Sequence, residues 1–208
     1  MSEFWETSFK AKQMMWGESP THSALFARDY FLKQNAKSVL IPGIGYGRNA
    51  KPFLDAGMTV TGIEISQTAI DLAKSKMELD ITIHHGSVTD MPFDDKKYNG
   101  IFSHALIHLL DEGEREKFIQ DCYAQLTPGG SMIITAISTK APSYGKGTEI
   151  GTNHYEQHGG ARIFFYDENA IHQEFDAYGL VEIQEIVEPN EKNPSAAMPF
   201  LTAVCKKL

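Results

Sequence analysis

Between Ser38 and Gly179 short apolar runs alternate with segments of helical period, and this alternation restricts the fold more than any other feature of the chain. The runs "SVLIP" (38–42), "MTVTGIE" (58–64), "ITIHH" (81–85), "YNGIFSH" (98–104) and "SMIITAI" (131–137) read as strands. Helices are expected between them, the first over 48–56 with Gly57 ending it. Ser66 caps a second, with Ile70, Ala73 and Met77 on one stripe. The capping-box pair Asp111 and Glu114 opens a third, which carries Phe118, Cys122 and Leu126 and is stopped by "LTPGG". Asp167 opens a fourth, with Ile171 and Phe175 inward, ending at Gly179. Strand, helix, strand in repetition builds a parallel sheet with helices on both faces. The ending is different. "LVEIQEIV" (180–187) and "FLTAVC" (200–205) are joined only by "EPNEKNPSAAMP", too short and too rich in proline for a crossover helix, so this pair is antiparallel. The expectation is a doubly wound α/β fold: a mostly parallel, seven-stranded, Rossmann-like sheet that closes in an antiparallel C-terminal hairpin.

At 208 residues the chain suits one domain, read here as 1–208, with residues 1–36 as a helical cover. Residues 138–162 are polar and hold five glycines, with Tyr144, Tyr155, His154 and His158. A connection of that length without periodicity is expected to be a lid or substrate loop. The net charge of −8 argues against a nucleic-acid partner, because phosphate binding requires clustered Lys and Arg. No run of about 18 apolar residues is present, so no membrane span is expected and the protein is read as soluble and cytoplasmic. Cys122 and Cys205 are too few for a disulfide framework and read as core residues.

The first strand runs directly into "GIGYG", glycines at 43, 45 and 47, where backbone must turn through positive φ or approach a ligand closely. In a doubly wound sheet this loop lies at the carboxyl ends of the strands, where ligands bind. Glu64 ends the second strand, placed so that a carboxylate can accept hydrogen bonds from both hydroxyls of a ribose. A dinucleotide site calls for G-x-G-x-x-G; here the spacing is G-x-G-x-G, followed by Arg48, and no second domain is present to hold a hydride acceptor. A nicotinamide oxidoreductase is thereby disfavoured.

"VLIPGIGYGRNA…VTGIEIS" resembles the first two motifs of class I S-adenosylmethionine-dependent methyltransferases. Pro42 stands where most members carry an acid, and in this it is similar to the thiopurine, thiol and halide methyltransferases. "GIEIS" (62–66), "SVTDMP" (87–92) and the Trp-containing "MMWGESPTHSA" (14–24) point to the same group. The resemblance implies S-adenosylmethionine as cofactor and a small-molecule methyl acceptor, a thiol or another soft nucleophile. It implies that Gly43, Ile44, Gly45 and Gly47 pack against the methionine and ribose and that Glu64 binds the ribose hydroxyls. Ile65 would pack on adenine, Ser87 and Val88 would meet its edge, Ser103 and His104 would flank the sulfonium, and Trp16 would cover the site.

Methyl transfer is an in-line displacement, so alignment and exclusion of water carry the rate and no triad is required. Candidate residues lining the acceptor side are His104 and Tyr144, with Tyr155 beside them; His108 reads as a packing residue. His84 and His85 are adjacent on a strand and point to opposite faces, so they cannot chelate one metal, and no metal site is expected. His154 and His158 read as loop histidines. A catalytically inert S-adenosylmethionine sensor or scaffold of the same fold is the alternative.

Overall fold

The computed structural model describes residues 2–157, 160–189 and 197–208. His158, read above as a loop histidine, and most of the connection before the last strand lie outside the described residues. The helices are α1 (Ser2–Lys12), α2 (His22–Lys33), α3 (Lys51–Asp55), α4 (Gln67–Ser75), α5 (Glu112–Gln125) and α6 (Glu168–Phe175). Ten strands are described: β1 (Ser38–Pro42), β2 (Thr59–Glu64), β3 (Thr82–His85), β4 (Tyr98–His104), β5 (Leu126–Ile137), β6 (Thr148–Gly151), β7 (His154–Glu156), β8 (Arg162–Phe164), β9 (Leu180–Glu188) and β10 (Met198–Lys206). Seven of them form one sheet in the order β3-β2-β1-β4-β5-β10-β9. The first five are parallel, and β10 runs antiparallel to both β5 and β9. This is the sheet that the alternation and the closing hairpin lead one to expect.

The two-residue period of the strands divides the core into two layers. Leu40, Ile101, Met132, Ile134, Leu201, Ala203 and Cys205 face Phe118, Ile119 and Cys122 of α5 and Ile171 and Phe175 of α6. Val39, Ile41, Phe102, Ile133 and Val204, their neighbours in sequence, face Ala24, Ala27 and Phe31 of α2 and Phe53 of α3. Helix α2 is thus a full member of the helical layer, whereas α1 rests on α4.

Three differences from the sequence reading have local causes. Helix α3 begins at Lys51, not 48, because Gly47 adopts φ 84° and the chain passes through turns before Pro52 enters the first helical turn. "LTPGG" does end α5, but it is itself part of β5: Gly129 N donates to Lys207 O (2.9 Å) and Lys207 N to Gly130 O (2.9 Å), so the chain's end recruits it into the sheet. The stretch expected as an irregular loop carries β6, β7 and β8, a separate three-stranded antiparallel sheet. A buried network ties this small sheet to the main body. Arg115 on α5 donates to Glu174 of α6 (2.8 Å) and to Leu110 O (3.2 Å), its guanidinium lies 4.3 Å from the Phe164 ring centroid of β8, and Tyr166 donates to Glu174 (2.7 Å).

Candidate active site

At the carboxyl ends of β1 and β2 the glycine loop folds back over the sheet. Gly43 N and Ile44 N both donate to Ile63 O, at 2.9 and 3.1 Å. All three glycines are left-handed, with φ of 70°, 59° and 84° at Gly43, Gly45 and Gly47, a conformation that opposes any side chain. At two of them a Cβ would meet only the movable end of a leucine, Leu106 Cδ1 at 2.3 Å from Gly43 and Leu79 Cδ1 at 2.2 Å from Gly47, so the left-handed backbone is the stronger demand for glycine. Gly45 is open, with only Phe9 Cζ at 3.8 Å.

Glu64 is buried, and its carboxylate accepts from Gly45 N (2.8 Å) and Ser66 N (2.9 Å). Burial pushes its pKa up; the backbone N–H groups of Ser66, Gly45 and Ile65 oppose that shift by favouring the charged form. One carboxylate thus fixes the glycine loop and the start of α4 at once. Ser66 caps α4 through Ala69 N (3.1 Å) and donates to Glu6 on α1 (2.7 Å). Glu6 also accepts from Thr68 N (3.2 Å) and Thr68 Oγ1 (2.7 Å), and these hydrogen bonds hold its pKa down at about 2. Helix α1 is therefore fastened to the helix that follows the acid.

The other expected cofactor residues fall around this crevice in different ways. Ile44 buries its side chain on Gly62, where a Cβ would come within 2.7 Å of Ile44 Cδ1, so only its backbone is left for the crevice. Ser103 is fully buried and donates to Pro42 O (3.0 Å), which ties β4 to β1 at the position where the acid is missing. Ser87 uses its oxygen to cap the short turn at Val88–Asp90, through Thr89 N (3.3 Å) and Thr89 Oγ1 (2.8 Å), and Val88 is buried behind it. The carbonyl of Ile65 lies 3.1 Å from His85 Nε2. Trp16 is 47% exposed and stacks on Tyr46 at 6.2 Å, beside Trp5 and Phe9, while Tyr46 OH donates to Gly17 O (2.7 Å). His84 turns to Asp94 (3.3 Å) and stacks on Phe93, away from His85 as the strand geometry requires.

Across the crevice, β4 ends at His104 and the chain kinks through Ala105, a left-handed residue without glycine's freedom (φ 55°). His104 Nδ1 lies 3.0 Å from Ser23 Oγ and 2.9 Å from Thr135 Oγ1, and its ring is 4.9 Å from that of Phe200. His108, buried, accepts from Ile137 N at Nδ1 (3.3 Å) and also faces Phe200 (6.2 Å). Burial drives both pKa values down to about 3, and for His104 the charges of Arg48 and His108 add to it. Both imidazoles are neutral at physiological pH. Ile137, Ala141, Phe165 and Phe200 continue the wall as one apolar cluster, flanked by Tyr155. Tyr144, 37% exposed, sits at its outer rim, with its OH on Asn153 (2.7 Å) and edge contacts to Tyr155 and Phe165. Sequence reasoning missed Ser23, Thr135 and Phe200. A threonine at a buried position of an apolar strand was the available signal for Thr135. No group of three or more His, Cys, Asp and Glu among the described residues could hold a metal ion. An open groove of about 630 Å³, lined by Ser38, Met58, Thr59, Asp80, Lys96 and Tyr98, lies at the strands' amino ends, away from all these groups.

A left-handed glycine loop over a buried acid at the carboxyl end of β2, in a sheet ending with an antiparallel strand pair, is the arrangement of a Rossmann-like methyltransferase fold. Residues 39–130 match the family model of a methyltransferase domain. The chain is 27% identical over 164 residues to the tRNA N(3)-cytidine methyltransferase METTL2 of Danio rerio, covering 72% of this chain and 46% of that protein. It is 32% identical over 111 residues to an uncharacterized methyltransferase of Oceanobacillus iheyensis, covering 52% of each. It spans about half the length of the curated relatives it matches. Among solved structures, the fold matches that of the 1,6-didemethyltoxoflavin-N1-methyltransferase of Burkholderia thailandensis with a TM-score of 0.74 at 15% identity, covering 99% of this chain and 86% of that one. No helix among the described residues is long and apolar enough to cross a membrane.

Proposed function

We propose that this chain transfers the methyl group of S-adenosylmethionine to a small-molecule acceptor by in-line displacement. The cofactor supplies a methyl carbon made electrophilic by its sulfonium; the chain's own task is to hold it, seat the acceptor and exclude water. Gly43, Gly45 and Gly47 give the backbone approach, and Glu64, fixed by two N–H donors, takes the ribose hydroxyls. Ile65, Ser87 and Val88 lie on the adenine side, and His104 on the sulfonium side. The observation that carries the small-molecule reading is the acceptor wall: Ile137, Ala141, Phe165 and Phe200, with two neutral histidines, offer apolar and aromatic surface to an acceptor. Helix α1 with the Trp16 segment, and the β6–β8 sheet, would close over the two ends of the crevice, and both would gain protection from hydrogen exchange on binding of S-adenosylhomocysteine.

A second reading, methylation of a tRNA, is favoured by the name of the Danio rerio relative. The net charge of −8 opposes it. The test supplies amine, phenol, thiol and carboxylate acceptors, and in parallel a tRNA transcript, and reads release of S-adenosylhomocysteine. Turnover of small acceptors alone supports the proposal. Turnover of the transcript alone replaces it, and cofactor binding with no turnover of any acceptor points to a sensor.

A further inference from the structure

His104 is held at one ring nitrogen by two hydroxyls, and counting protons along the buried chain that leads to it fixes where its own proton sits. Asn49 Oδ1 accepts from Thr21 N (2.9 Å) and from Thr21 Oγ1 (3.1 Å). The hydroxyl proton of Thr21 is thereby spent, and Thr21 Oγ1 also accepts from Ala24 N (3.2 Å). Its contact with Ser23 Oγ (3.1 Å) is then a hydrogen bond only if Ser23 donates. With the Ser23 proton spent in turn, the contact between Ser23 Oγ and His104 Nδ1 (3.0 Å) is a hydrogen bond only if Nδ1–H donates. Thr135 Oγ1, at 2.9 Å from the same nitrogen, already accepts from Ala105 N (3.1 Å) and accepts a share of the same proton. The opposite tautomer would direct two hydroxyl donors at one lone pair and leave the contact between Thr21 and Ser23 without a proton.

We infer that Asn49, Thr21, Ser23 and Thr135 lock His104 as the Nδ1–H tautomer, so that its bare Nε2 accepts a hydrogen bond from a methyl acceptor that still carries hydrogen on the attacked atom. This deepens the small-molecule reading and rests on it. Nε2 has no hydrogen-bond partner among the described residues. The acceptor class that fits is a neutral amine or hydroxyl: its X–H points at Nε2, which turns a lone pair of X toward the methyl carbon. That lone pair forms the new X–C bond as the C–S bond breaks, and the C–S pair remains on sulfur as the neutral thioether. Positive charge passes to X: an oxonium gives its proton to Nε2 along the existing hydrogen bond, whereas an ammonium keeps its proton until the product leaves the site. A thiolate has no hydrogen to offer, and the Nε2 lone pair would repel it. His108, whose Nδ1 accepts from Ile137 N, is the opposite tautomer and presents no such lone pair.

Two measurements test this. Nitrogen NMR of histidine-labelled protein, with His104 assigned through His104→Phe, should show the proton on Nδ1 and a bare Nε2. Ser23→Ala and Thr135→Val should each shift the population toward Nε2–H, and Ser23→Thr should restore it. A wild-type His104 protonated at Nε2 overturns the assignment. In the acceptor screen, run at saturating S-adenosylmethionine, His104→Phe should lower kcat/KM for amine or hydroxyl acceptors by about 10-fold, the worth of one hydrogen bond. Faster turnover of a thiol than of its amine and hydroxyl counterparts, untouched by His104→Phe, overturns the acceptor class. No turnover with any acceptor, with Nδ1–H observed, defeats the functional reading and the acceptor class while supporting the tautomer lock.

Discussion

The proposed cofactor side and the proposed acceptor side of this crevice are built by different means. On the cofactor side the positions are set by backbone: three left-handed glycines, two N–H groups on Glu64 and two more on Ile63 O, all within residues 43–66. On the acceptor side they are set by side chains drawn from distant parts of the chain. His104 of β4 meets Ser23 of α2, Thr135 of β5 and Phe200 of β10, and Arg115 of α5 holds Phe164 and Glu174. A backbone-built site needs particular residue types at particular spacings and so marks its sequence. A side-chain-built site needs only that the fold bring the right groups together.

The largest expected effect falls on the acceptor side alone. Arg115→Met leaves Glu174, partly buried and bonded to Tyr166, without its cation. Breaking such a pair should destabilise the protein by about 3–5 kcal/mol. Chemical denaturation gives the loss; in the folded fraction, calorimetry should find affinity for S-adenosylhomocysteine unchanged. Loss of cofactor affinity in that fraction would mean that the two sides are not separately built.

Acid stability should separate them next. His104 and His108 are held near 3 in the native state against an ordinary 6.5. As pH falls below 6.5 the unfolded chain takes up protons that the native state refuses, so stability falls until about pH 3, by up to ~1.4 kcal/mol per pH unit for each histidine. His108→Gln should flatten the pH dependence of the denaturation midpoint over that window. A profile parallel to that of the wild type would show that the imidazole is solvated. Glu6, by contrast, is held down at about 2, and its contribution is present above the ordinary carboxylate range and lost as pH falls through it.

How far the sequence could be read follows the same division. The strand order's consequences, the glycine loop with Glu64, the Asp111 and Glu114 capping box and the left-handed Gly179 are all local patterns, and the structure contains each of them. The β6–β8 sheet was not legible, since its strands are three or four residues long, exposed or half-buried throughout and without alternation. Neither was the Ser23–His104–Thr135 clamp, whose members lie 81 and 31 residues apart and are ordinary residues in their own elements. That "TPGG", read correctly as the stop of α5, also enters β5 was not legible either, because the strand character of Gly129 and Gly130 comes from Lys207, at the other end of the chain.

The smallest expected effect tests the cover. Trp16→Ala removes a ring that is 47% exposed and stacked only on aromatic neighbours, so it should cost less than ~1.5 kcal/mol of stability. If the segment closes on the cofactor, the same change should also raise the dissociation constant for S-adenosylhomocysteine. An unchanged constant would make Trp16 an anchor for α1 and nothing more.

The central claim is that Glu64, held by Gly45 N and Ser66 N, aims its carboxylate at a ribose of S-adenosylmethionine. Calorimetric titration of the wild type and Glu64→Ala with S-adenosylhomocysteine, and of the wild type with NAD, tests it most directly. The account predicts binding of one S-adenosylhomocysteine per chain, weakened in Glu64→Ala by about 1.5–3 kcal/mol, the worth of hydrogen bonds to a charged group, and no comparable binding of NAD. Equal affinity in the two proteins, or tighter binding of NAD than of S-adenosylhomocysteine, would contradict it.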